Sequence, residues 1–180
     1  MLRTFENVSR FTVGTLGEPG SRSFWIQVRT GNVLISVAAE KSQVSVLGER
    51  FMEMLKEIRI AHPKIERPEI IEDREPLETP VIGEFRIGAI AIFFDEFTEK
   101  VQVDLREVNI DVDEEDLFEI DSPSLDGVQV VRVFLTLQQV KTFAKRAEAL
   151  VRAGRPPCPF CALPIDPLGH ICARANGYRR

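Results

Sequence analysis

The first 157 residues contain no cysteine; all three sit in the terminal stretch PPCPFCALPIDPLGHICARANGYRR, with one of the chain's two histidines. An odd number of cysteines confined to one end does not make a secreted disulfide framework, so a reducing, cytoplasmic setting is expected. Long apolar runs are missing too. The longest, Ala89 to Phe94, is far short of the roughly 20 residues that cross a bilayer, and no membrane partner is expected. The opening MLRTFENVSRF lacks the apolar core of a secretory signal. There is no G-x-x-x-x-G-K-[ST], G-x-G-x-x-G or G-x-S-x-G, which removes the common phosphate loops, dinucleotide fingerprints and nucleophile elbows. An enzyme class is therefore not legible, and a non-enzyme is favoured.

What is present begins with charge. The net charge of −5 hides an asymmetry: His62 to Asp126 holds 20 acidic and 6 basic residues, whereas Lys141 to Arg180 holds 8 basic and 2 acidic. The acidic middle reads as solvated surface. The basic end can attract phosphate or an acidic surface, the chain's own included.

Apolar residues first recur with period two, the mark of half-buried strands. Arg10–Leu16 is a strand, GEPG a turn, Arg22–Arg29 a second strand, and Thr-Gly-Asn a tight turn into a third at Val33–Ala39. The period then changes: Val44, Leu47, Phe51, Met54, Leu55 and Ile58 share one helical face, with Ser42 as expected N-cap and His62-Pro63 as stop. Pro63–Pro80, with four prolines and mixed charge, reads as a linker or an extended surface segment. The order then repeats. Strands are expected at Glu84–Asp95, Glu99–Val108 and Val128–Leu135, and a helix at Thr136–Gly154 behind a Thr136/Gln139 capping box.

The halves also match in residues. FTVGTL (Phe11–Leu16) parallels FRIGAI (Phe85–Ile90), and Val37, Gln43, Val44 and Arg50 parallel Val133, Gln139, Val140 and Arg146 without a gap. Asn109–Gly127 is then an insertion of about 19 residues in the second copy. The expected fold class is α+β: two pseudo-symmetric βββα repeats sharing a mainly antiparallel sheet of about six strands, followed by a zinc-knuckle segment. The divisions are residues 1–62, a linker at 63–83, 84–154, and 155–180. Gly14 and Gly88, at matching places in mid-strand, suggest close backbone approaches or a ligand cleft.

In the tail, Cys158 and Cys161 have the two-residue spacing that turns both thiolates toward one metal, and His170 and Cys172 follow as H-I-C. Cys158, Cys161, His170 and Cys172 make a closed tetrahedral set, so structural Zn²⁺ is the expected cofactor. The short H-x-C spacing is unusual. A redox CxxC or free thiols are the alternatives, though this CxxC does not open a helix after a strand. A catalytic zinc keeps a position open, and four candidates within 15 residues leave none. Asp166, between prolines, reads as a turn residue. His62 reads as a helix-end residue, and the acidic positions Asp95, Glu96, Glu99, Asp111, Asp113, Glu114, Glu115 and Asp116 read as solvated loop, without an EF-hand's spacing.

With these segments in hand, the chain resembles a family of uncharacterised bacterial proteins, the domain of unknown function 3090. The resemblance rests on RFTVGTLGEPGSRSFWIQV, AAEKSQVSVLGER and EFRIGAIAI. It rests above all on the tail, at Cys158, Cys161, Pro164, Asp166, Pro167, Gly169, His170, Cys172, Arg174, Asn176, Gly177 and Tyr178. Ala162 departs from the glycine common after the second cysteine. The family implies no activity. The functional expectation is a non-catalytic, zinc-containing scaffold whose tail residues Arg174, Asn176, Tyr178, Arg179 and Arg180 contact nucleic acid or an acidic protein. The alternative is a hydrolase-like enzyme with a cleft between the repeats, using Asp166, Asn176, Tyr178 and Arg50 or Arg146.

Overall fold

In the computed structural model, which describes residues 1–18, 20–108, 127–153, 158–161, 165, 172 and 174, the two predicted strand sets form one sheet. Its strands are β1 (Leu2–Phe5), β2 (Arg10–Leu16), β3 (Ser23–Thr30), β4 (Val33–Ala39), β5 (Gly83–Asp95), β6 (Lys100–Glu107) and β7 (Val130–Thr136), in the spatial order β1-β7-β6-β5-β4-β3-β2. Helix α1 (Lys41–Ala61) follows β4 and α2 (Leu137–Arg152) follows β7. The pairings are antiparallel except for β1 with β7 and β4 with β5. The fold is thus α+β with a mainly antiparallel seven-stranded sheet, one strand more than expected. No helix among the described residues is long and apolar enough to cross a membrane.

The alternation of each strand decides which face is buried. Phe11, Val13, Ile26, Val28, Ile35 and Val37 turn to one face, as do Val101, Val103, Leu105, Val131, Val133 and Leu135, and all are buried. Both helices lay their apolar stripes on that face, Val44, Leu47, Phe51, Met54 and Ile58 from α1 and Val140, Phe143, Ala144 and Ala147 from α2. The helices meet where Gly48 faces Ala147: a Cβ on the glycine would lie 3.1 Å from that of Ala147. Phe143 joins the layers, its ring 4.8 Å from Phe11 and edge-on to Phe51 at 5.6 Å. The β3–β4 hairpin turns at Gly31, whose φ of +51° a side chain rarely adopts.

Helix starts follow local chemistry. In α2 the Thr136 hydroxyl accepts from the Gln139 amide and the Gln139 side chain accepts from the Thr136 amide, the expected capping box. In α1 the N-cap is Glu40 and not Ser42, because Gln43, three residues on, takes the amide of Glu40 in the same way. Each glutamine also reaches sideways: Gln43 donates to the Ile87 carbonyl at 3.0 Å, Gln139 to that of Val8 at 2.6 Å.

The strand pairings correct the match between FTVGTL and FRIGAI. Val37 pairs with Ile26 and Ile26 with Val13; Val133 pairs with Val103 and Val103 with Ile92. Val13 therefore shares its place in the sheet with Ile92, five positions beyond the Ile87 that residue similarity selects. The two glutamine bonds agree with the structural count, since Val8 and Ile87 stand in that same relation. By this count Gly14 and Gly88 do not fall at matching steps of the sheet. Gly14 is the seat of Leu77, whereas Gly88 lies at the β5 bulge, where a Cβ would meet the main chain of Val108.

The proline-rich connection is a strap that runs past α2 at Pro68 to Asp73 and then crosses onto the face of the sheet opposite the helices at Leu77 and Glu78. Leu77 is buried over Gly14. Beside it, the Gln27 side chain donates to the Glu78 carbonyl and accepts from the Glu78 amide, both at 2.9 Å, and also donates to Ser36. In the buried row Thr12, Gln27 and Ser36, the Gln27 side chain thereby has its donor and acceptor taken by strap backbone.

Candidate metal centre

Beyond α2, the CxxC stretch forms a turn at 159–161 in which the Phe160 amide donates to Cys158 Sγ at 3.4 Å. This is the arrangement that the spacing predicts: main-chain donors aimed at a thiolate. Cys172 returns to it, its Sγ 3.8 Å from that of Cys158, and the sulfurs of Cys158, Cys161 and Cys172 all lie within 4.8 Å of one another. Cys158 and Cys172 are buried and Cys161 half-buried, all three as free thiols.

The geometry fits a metal better than a disulfide. A disulfide brings sulfurs to about 2.05 Å. Ligands at about 2.3 Å from a tetrahedral zinc stand about 3.8 Å apart, the separation of Cys158 and Cys172. Burial pushes the Cys158 thiol up, but the amides of Cys161 and Phe160 and the neighbouring thiols outweigh it. The net effect holds Cys158 below the usual thiol range, toward the thiolate that binds metal.

Arg174 donates to the Phe160 carbonyl at 3.3 Å, so this expected partner-binding residue is also a brace across the cysteine turn. His170, Asp166, Asn176, Tyr178, Arg179 and Arg180 lie outside the described residues, as do Asp111, Asp113, Glu114, Glu115 and Asp116. His62 is the C-cap of α1; its ring stands 5.7 Å from Phe94 and its Nε2 3.8 Å from Glu96. Asp95 closes the β5–β6 turn by accepting from Thr98 and the Phe97 amide. The Thr98 hydroxyl, first, and that amide hold its carboxyl below the usual range. Among the described residues the cluster with metal-ligand geometry is the three cysteines.

The two candidate arginines have different surroundings. Arg146 is buried against the strap, its Nε donating to the Val13 carbonyl at 2.5 Å and its guanidinium 3.2 Å from Asp73. Arg50 lies exposed on α1, paired with Glu53 and Glu57 of its own helix. Sequence reasoning missed two further polar constellations. Arg10 grips the Asp73 carboxylate with two bonds of 2.9 Å, and Arg132 grips the buried Asp104 with bonds of 2.8 and 2.7 Å. A carboxylate between Gln102 and Arg106 on the outward row of a β-alternation was the available signal for Asp104; Asp73 sat among so many charges that nothing distinguished it.

A family model described as a protein of unknown function (DUF3090) matches residues 3–172, which takes in the sheet, both helices and all three cysteines. The chain belongs to that family. Neither a search of curated proteins nor one of solved structures returned a match. The tail resemblance and the thiol cluster therefore point to the same segment, the first by residue identity and the second by geometry.

Proposed function

We propose that the protein is a non-catalytic, zinc-containing scaffold of the cytoplasm. In this reading Cys158, Cys161 and Cys172, with His170 as fourth ligand, hold a structural Zn²⁺ that orders the basic tail. Arg174, Asn176, Tyr178, Arg179 and Arg180 then present a contact for a phosphate-bearing partner such as nucleic acid, or for an acidic protein. The body consists of two βββα copies; the paired glutamine bonds and matching strand register support that reading. The observation that carries the metal assignment is the 3.8 Å between the Cys158 and Cys172 sulfurs. No observation on the described residues favours the hydrolase-like alternative, and Arg146, one of its polar groups, is engaged by Asp73.

The test uses the full chain. Purified protein should hold one zinc per chain by elemental analysis after gel filtration. Cys158→Ser should lose it, and trypsin should then remove the tail after Arg152 while the body keeps its circular dichroism, because binding and ordering of such segments are coupled. Full zinc retention by Cys158→Ser would overturn the assignment. For the partner, the holo protein should bind a single-stranded oligonucleotide at low salt and lose it as salt rises. Absence of binding at low salt removes the nucleic-acid version.

A further inference from the structure

The structural register places two grooves in the same relation to their helices. One lies between α2 and β2 and is filled. Residues 73–76 of the strap run along it. Asp73 takes Arg10 and Arg146, and Arg10 also donates to the carbonyls of Glu75 and Pro76 at 2.8 and 3.1 Å. Arg146 ties the helix to the strand through the Val13 carbonyl.

The other groove lies between α1 and β5, with a volume of about 310 Å³, and is lined by Gln43, Val46, Arg50, Gly88, Ile90 and Ile92 among others. Arg50 stands at the helix position of Arg146, and Ile92 at the strand position of Val13. Among the described residues no strap enters it. The pairing of β4 with β5 stops at Ala38 and Arg86, while β5 runs on to Asp95 with β6 on its far side alone. Among the described residues nothing pairs the near edge of Ala89–Asp95. Apolar side chains flank it, with Val46 63% and Phe93 60% exposed. A long, exposed, apolar edge is what proteins ordinarily cover.

We propose that this groove receives an extended acidic segment of a partner protein, laid along the free edge of Ala89–Asp95 with a carboxylate on Arg50. The filled groove shows part of the chemistry: the strap enters it as Glu72-Asp73-Arg74-Glu75, extended beside the strand, with one carboxylate on the helix arginine and its carbonyls on arginine side chains. Two differences set the partner's character. The counterpart of Arg10 is Ala89, so one carboxylate suffices. The counterpart of Gly14 is Phe93, so the partner has no residue like Leu77 to seat there and meets an aromatic ring instead. Arg50 is free to turn, because its pairs with Glu53 and Glu57 are surface contacts of little worth. Main-chain pairing then supplies affinity and the carboxylate supplies specificity. The proposal stands on the matched geometry and is independent of the zinc assignment.

The probe is the fluorescein-labelled octapeptide EIIEDREP, the chain's own Glu69–Pro76, titrated into the intact zinc-loaded protein at low salt and followed by anisotropy. Saturable binding is expected. It should weaken by about tenfold or more with Arg50→Ala, with Ile92→Lys, and with Asn in place of the peptide's aspartate, as expected for a charge-assisted contact. Arg50 is exposed, so its variant should keep the wild-type circular dichroism. No saturable binding, or equal binding by the Arg50 and Ile92 variants, overturns the proposal. A dimer in sedimentation that dissociates on Arg50→Ala also overturns it, by assigning the groove to a second copy of this chain; a monomer supports it.

Discussion

The carboxylate of Asp73 stands 3.2 Å from the guanidinium of Arg146, joining the strap to α2 at the edge of the sheet. Burial raises this carboxyl, but hydrogen bonds from Arg10 and the charges of Arg146 and Arg10 outweigh it and hold it below the usual range. A carboxyl lower in the folded than in the unfolded chain stabilises the protein fully above its unfolded value, about 3.9, and loses that contribution as pH falls through the folded value. Asp73→Asn should therefore cost roughly 2 kcal/mol at neutral pH, the range of a charged hydrogen bond. It should also flatten the acid limb of the stability curve below about pH 4. Urea melts at pH 7, 4 and 3 on both proteins check this; parallel curves would refute it.

Gly14 has no room for a side chain, since a Cβ there would come within 2.7 Å of Leu77 Cδ2. Gly14→Ala should lift the strap and cost about 1–3 kcal/mol, the usual range for overpacking. Adding Leu77→Ala should restore part of the loss, because the two changes share one space and their effects are not additive. Chemical denaturation of the two single variants and the double variant measures the coupling.

Asp104 is 1% exposed, and Arg132 directly opposite it in the sheet holds both carboxylate oxygens. Removing one partner of a buried pair leaves a desolvated charge, so Arg132→Met should cost about 3–5 kcal/mol. The double change Asp104→Leu with Arg132→Met should cost less than Arg132→Met alone. Thermal unfolding of the two variants compares them directly.

Much of the architecture could be read from side-chain periodicity. Arg10–Leu16 and Val33–Ala39 emerge with their expected limits, and the Thr136/Gln139 pair announces the start of α2. The CxxC spacing located the thiol cluster. What escaped reading was set by contacts distant in sequence. Strand β1 is four residues long, half exposed, and exists because β7 offers it an edge. The strap looked like a linker because its anchors, Gln27, Arg10 and Arg146, are far from it along the chain. The FTVGTL and FRIGAI similarity pointed to a register that hydrogen bonding rejects, since β5 spends its first residues on β4 and begins to pair with β6 only from Ile87.

The strap has a further consequence for how this chain can change in length. Its carbonyls at Pro68 and Glu69 accept from Lys141 and Gln138, Asp73 is gripped by two arginines, and Glu78 is held by Gln27. A connection fastened at so many points cannot gain or lose residues without pulling on the strand edge it protects.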